Sequence, residues 1–137
     1  MTKTPTPVEV VTAVYEAFGR GDLEGLLSYV DENVEWCQAE AGAPHPVIDN
    51  GRGIGHDAVR AYFGTAAQRM AISKFVPHKI MGDGDTVLSL IEMEFADPAV
   101  GKTVNIAECH VFRVRDGKIV HYFPILDTAA TAPAFGA

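Results

Sequence analysis

The chain has 137 residues, 47% of them apolar and 21% charged, with a formal net charge of −7. That length supports one domain with a real core and is short for two. The negative balance argues against a nucleic-acid surface, and no apolar run approaches the roughly 18 residues of a membrane span. The first ten residues lack a signal-peptide core, so a cytoplasmic protein handling a small molecule is expected, with neither nucleic acid nor membrane as partner. Two cysteines, Cys37 and Cys109, are too few for a disulfide framework and form no CxxC pair; both are expected reduced.

Residues 1–7, with two prolines and three threonines, read as a disordered tail. Apolar residues then recur at Val10, Val11, Val14, Tyr15 and Phe18, the spacing of a one-sided helix over about 8–20. Tyr15 stands out in it, because a buried phenol needs a hydrogen-bond partner. Gly19-Arg20-Gly21 ends the helix, and Asp22 caps a second one reaching about Val30. Val34–Gln38 reads as a short strand carrying the only tryptophan, Trp36, with Glu35 outward. Residues 39–55 are rich in Gly, Pro and Ala and read as a long loop, with a short strand near 47–48 or 51–54 and a solvated His45. A third helix runs from about His56 to Met70, with Tyr62, Phe63, Ala66 and Met70 in its apolar stripe.

Four strands follow. Ser73–Met81 contains Pro77, which marks an edge or a bulge. Thr86–Ala96 alternates cleanly, with Val87, Ser89, Ile91, Met93 and Phe95 on one face. The last two strands flank Asp116-Gly117, a pair suited to a two-residue type I′ turn because both positions need positive φ. Regular pairing from that turn sets Val114 opposite Ile119, Phe112 opposite His121, His110 opposite Phe123 and Glu108 opposite Ile125. One face then carries Ile106, Glu108, His110, Phe112, Val114, Ile119, His121, Phe123, Ile125 and Asp127; Tyr122 falls on the other. Residues 131–137 read as a loose C-terminal tail, which leaves 8–130 as a single domain.

Helices gathered ahead of a meander of strands indicate an α+β domain. The expected architecture is a cone: a curved antiparallel sheet wrapped around a long helix, with two N-terminal helices and an interior pocket. The ordered motifs Tyr15–Leu23 (YEAFGRGDL), Val34-Glu35-Trp36, Gly55–Phe63 (GHDAVRAYF), Gly82–Asp85 (GDGD) and His110–Val120 (HVFRVRDGKIV), ending at Asp127-Thr128, resemble the SnoaL-like branch of the nuclear-transport-factor-2-like superfamily. That superfamily includes ketosteroid isomerase, limonene epoxide hydrolase and polyketide cyclases. The resemblance implies this fold and a homodimer, and leaves enzyme, ligand binder and interaction module open. Carried over by position, the isomerase base falls near Cys37, its tyrosine near Val14 and its protonated aspartate near His110. A carboxylate common in SnoaL-like relatives falls near Pro124 and is absent, while their terminal aspartate corresponds to Asp127. The steroid-isomerase set is therefore not reproduced, and the epoxide hydrolase Asp-Arg-Asp set is not evident.

The candidate catalytic residues are Glu108, His110 and Asp127, for proton transfer that isomerises, cyclises, dehydrates or hydrolyses an apolar substrate. The expected pocket wall is Tyr15, Trp36, Phe63, Met93, Phe112, His121, Phe123 and Ile125, around a small hydrophobic molecule. A non-catalytic binding or interaction module is the alternative. No metal-ligand spacing and no cofactor motif is present, so neither group is expected.

Overall fold

The computed structural model describes residues 3–37 and 53–136. The expectations for His45, for a strand at 47–48 and for most of the 39–55 loop fall outside the described residues. Element order is α1 (Pro7–Gly19), α2 (Leu23–Leu27), β1 (Val30–Trp36), β2 (Gly53–Ile54), α3 (His56–Arg69), β3 (Ala71–Asp83), β4 (Thr86–Ala96), β5 (Thr103–Arg115), β6 (Lys118–Leu126) and α4 (Thr128–Thr131), then a 3₁₀ turn, Ala132–Phe135.

Local sequence explains most boundaries. Thr6 caps α1 in a reciprocal capping box with Glu9, and Pro7 takes the first turn, where its missing N–H costs nothing. The segment expected to be frayed is thus tied down from Thr6 onward. Asp22 caps α2 by accepting from the Gly25 N–H. Asp116 and Gly117 take φ of 51° and 77°, the left-handed pair that a type I′ turn demands.

The six strands form one curved sheet in the order β2-β1-β6-β5-β4-β3. Every pairing is antiparallel except β1 with β6, which run parallel. β3 is an edge strand with register shifts around Ser73 and His78, one of them beside Pro77, the residue that cannot donate to a ladder. Along β4 the predicted alternation holds: Val87, Ser89, Ile91, Met93 and Phe95 are all buried, while Leu88 and Leu90 are exposed on the outer face. On that outer face Lys74, His78 and Asn105 surround Glu92 and hold its carboxyl down at about 2.

β6 departs from the regular register. Val114 pairs Ile119 as expected, but Arg113 pairs His121, Phe112 pairs Tyr122 and His110 pairs Pro124. Val120 is the extra residue of a β-bulge, and every residue after it changes face. His121, Phe123 and Ile125 therefore lie on the face away from Glu108, His110 and Phe112, and Tyr122 lies on the same face as they do. The slip buries the Tyr122 ring against Trp36 at 4.3 Å and Phe112 at 5.0 Å between centroids. It also sets Pro124 beyond Trp36, the last residue of β1, so its missing N–H falls past the end of the described β1–β6 ladder.

The C-terminal residues are not loose. Asp127 caps α4, Thr131 and Ala134 are fully buried, and Phe135 stacks on Phe95 at 5.6 Å. Arg69 lies over the Phe135 ring and also pairs with buried Asp97 at 2.8 Å. The Ala99 N–H and then the Arg69 guanidinium hold the Asp97 carboxyl below its ordinary range. These contacts fasten the chain end across the β4–β5 end of the sheet. Among the described residues, no helix is long and apolar enough to cross a membrane.

Candidate active site

α1 and α3 lie over the concave face of the sheet and leave a cavity between them. Val14, Tyr15 and Phe18 of α1 face Tyr62, Phe63 and Ala66 of α3 across it. The sheet contributes Trp36, Phe75, Met93, Glu108, Phe112 and Tyr122, with His110 among them. The cavity itself is about 80 Å³ and opens to solvent. It explains why Val59 is the one fully buried side chain within α3, although the stripe read from sequence is broad. The rest of that stripe borders open space rather than close-packed side chains.

Three polar side chains form a chain on this wall. His110 Nε2 is 3.0 Å from Glu108 Oε2, and His110 Nδ1 is 2.8 Å from the Tyr15 hydroxyl. Glu108 and His110 are adjacent inward positions of β5, so the strand's period of two sets their spacing. Tyr15 comes from the opposite wall and answers the need of its buried phenol. All three are largely buried, and burial, chiefly, raises the Tyr15 phenol well above its ordinary range. With Glu108 as a carboxylate and His110 as a neutral imidazole, one proton arrangement satisfies both contacts. Nε2–H donates to Glu108, and the Nδ1 lone pair accepts from the Tyr15 O–H. Glu108 Oε1 then has no hydrogen-bond partner among the described residues. Ser89, directly opposite His110 on β4, is fully buried beside this group, and its hydroxyl makes no hydrogen bond of normal geometry. Tyr62 and Tyr122 are also deeply buried, and burial raises both phenols, which therefore stay protonated as O–H donors.

Of the residues expected from sequence, Tyr15, Trp36, Phe63, Met93, Glu108, His110 and Phe112 line the cavity together. His121, Phe123 and Ile125 do not; the bulge at Val120 turns them to the other face. Asp127 is not brought to the cavity. Its carboxylate accepts from the Ala130 N–H, capping α4 at an exposed position. Sequence reasoning missed Tyr62, Phe75 and Tyr122. Tyr62 was legible in the α3 stripe. Tyr122 was not, although one signal existed: the regular register loads four ionisable groups onto one apolar face, an improbable burden for a core. Cys37, where the resemblance puts the isomerase base, is buried with φ of 58°, and its N–H donates to the Tyr122 carbonyl. Among the described residues, no group of three or more His, Cys, Asp or Glu side chains is placed to hold a metal.

The helices, curved sheet and interior cavity have a match among known families. The SnoaL-like domain family matches the sequence over residues 11–122. The chain belongs to that family. Similar solved structures agree. An NTF2-like protein from Burkholderia thailandensis is 26% identical with a TM-score of 0.82, over 97% of this chain and 99% of that one. TerC, co-crystallised with polyporic acid, is 25% identical with a TM-score of 0.79, over 96% of this chain and 100% of that one. A protein from Mesorhizobium loti, provisionally assigned as a SnoaL-like polyketide cyclase, is 18% identical with a TM-score of 0.69, over 88% and 98%. No curated protein matches the sequence.

Proposed function

We propose that this SnoaL-like protein is a cofactor-independent acid–base enzyme acting on a small apolar carbonyl compound. The observation that carries the reading is the Glu108–His110–Tyr15 chain on the wall of an otherwise apolar cavity. Isomerisation, cyclisation and dehydration of such compounds share one step, removal of a proton from the carbon next to the carbonyl. Glu108 Oε1 takes that proton, and the C–H electron pair moves onto the carbonyl oxygen. His110 fixes the base by holding Oε2, and Tyr15 fixes His110. The phenols of Tyr62 and Tyr122 are the O–H donors available to the oxygen that gains charge. TerC, which was crystallised with an organic acid, supports a ligand-holding cavity in this fold.

A non-catalytic binding module is the second reading. One observation favours it: both ring nitrogens of His110 are already bonded. Hydrogen–deuterium exchange separates the two. Cyclohexanone and pentylcyclohexanone are incubated in D₂O with the protein, and loss of the protons next to the carbonyl is followed by NMR. Wild type accelerates exchange, and Glu108→Gln lowers the rate by at least about a hundredfold while keeping the fold. Equal rates in wild type and Glu108→Gln, for a ketone that binds, would exclude the enzyme reading.

A homodimer formed through the outer sheet face accompanies this proposal. Leu88, Leu90 and Ile125 are exposed there beside the Lys74–Glu92 pair, a mixed surface able to meet its own copy. Light scattering at micromolar concentration gives dimeric mass; monomeric mass would count against it.

A further inference from the structure

The cavity is polar at one end only, and its other end continues onto the surface. A groove runs between the end of α1, the start of α2 and the C-terminal half of α3. It shares six residues with the cavity, among them Phe18, Phe63 and Ile72, and adds Gly21, Leu23 and Ala67 on the solvent side. Among the described residues, its wall contains no charged or hydrogen-bonding side chain. Every polar group of the cavity (Tyr15, Trp36, Tyr62, Glu108, His110 and Tyr122) lies off the groove. Ile72, on the shared rim, leaves 38% of its surface exposed. A ligand whose reacting carbonyl lies against Glu108 therefore has a continuous apolar path outward, with no polar side chain of the described residues along it.

We infer that this groove is a tail subsite, and that the substrate is a neutral carbonyl compound bearing an apolar chain of several carbons. The chain leaves the cavity over Phe63 and Ile72 and lies between Leu23 and Ala67. The inference rests on the ligand-holding cavity proposed above and adds the class of molecule it takes. The absence of any charged side chain among the described residues of the groove selects against a charged tail, which would lose its hydration without a partner. The tail remains partly in water at Gly21 and Ala67, both exposed, so its length is bounded loosely rather than by a closed wall.

Trp36 is the only tryptophan and lines the cavity without touching the groove, so its fluorescence reports filling of the inner end by any ligand. The probes are cyclohexanone and pentylcyclohexanone, the latter carrying its chain opposite the carbonyl. Each methylene fully removed from water is worth about fourfold in affinity. A chain lying partly in the groove makes pentylcyclohexanone bind at least about tenfold more tightly than cyclohexanone. Ala67→Phe fills the groove and Ala67→Glu places a charge in it. Ala67 is exposed and outside the cavity wall, so both variants bind cyclohexanone as wild type does, and both lose the tenfold gain. Equal affinity of the two ketones for wild type, or a gain that survives both variants, would overturn the tail subsite and leave the cavity reading standing. Failure of both ketones to bind wild type would overturn the tail subsite together with the cavity reading.

Discussion

β4 and β6 flank the same strand, β5, and behave differently. β4 pairs with β5 over eleven consecutive positions, Thr86↔Arg113 to Ala96↔Thr103, without a break. β6 keeps the turn-fixed register for two positions and then slips by one residue at Val120. The side chains of β4 therefore face where simple alternation puts them, and those of β6 face the opposite way beyond the bulge. Alternation is a local rule, and it holds only as long as the ladder is unbroken. The bulge is favoured by a non-local gain: stacking of Tyr122 on Trp36, which comes from β1, eighty-odd residues earlier.

Substitution tests this contrast most strongly. Phe112→Ala, in the shared inner face, costs about 3–5 kcal/mol in urea unfolding. Tyr122→Ala is expected to be comparably severe, whereas Ile125→Ala stays within about 0.5 kcal/mol. On β4 the same experiment serves as the control, with Ile91→Ala costing about 2–5 kcal/mol and Leu90→Ala about 0.5 kcal/mol. The regular register predicts the reverse ranking on β6: a severe loss at Ile125 and a mild one at Tyr122. Reversal there would place the bulge wrongly.

A smaller effect sharpens the link between α1 and β5. Tyr15→Phe removes the O–H that meets His110 Nδ1 and leaves that nitrogen buried and unpaired. The expected loss is about 1–3 kcal/mol by urea unfolding. No loss would mean that the contact is not formed.

The legibility of the chain follows the same division. The elements themselves were readable, because they rest on local signals: the capping Asp22, the α1 and α3 stripes, the Asp116-Gly117 turn, the alternation of β4. Glu108 and His110 were readable as neighbours because two residues on an unbroken strand share a face. Their partner Tyr15 was expected as a pocket-wall residue and as a phenol in need of a bond; which residue answered it depended on how α1 lies across the sheet. His121, Phe123 and Ile125 were misplaced by one inserted residue that leaves no compositional mark. Asp127 looked like a site carboxylate because its strand position was extrapolated through that insertion. The final residues, small and aperiodic, gave no sign that Phe135 would meet Phe95 and Arg69.

The buried phenols give the smallest effect per group. Tyr15, Tyr62 and Tyr122 all have their ionisation raised, chiefly by burial. Folded, they hold protons that the unfolded chain releases. Their contribution is complete below about pH 10 and falls as pH rises beyond it, by at most about 1.4 kcal/mol per pH unit for each phenol. Tyr122→Phe flattens the alkaline limb of a stability–pH curve; an unchanged limb would mean that this phenol is open to water.

The central claim is that Glu108 is a carboxylate base held by His110, with Tyr15 behind it. The imidazole nitrogens of His110 test it directly. Long-range proton–nitrogen NMR correlations at neutral pH are predicted to show a protonated Nε2 and an unprotonated, hydrogen-bonded Nδ1, the latter shifting in Tyr15→Phe. A protonated Nδ1 with a bare Nε2 would mean that Glu108 donates instead of accepting, and would contradict the account.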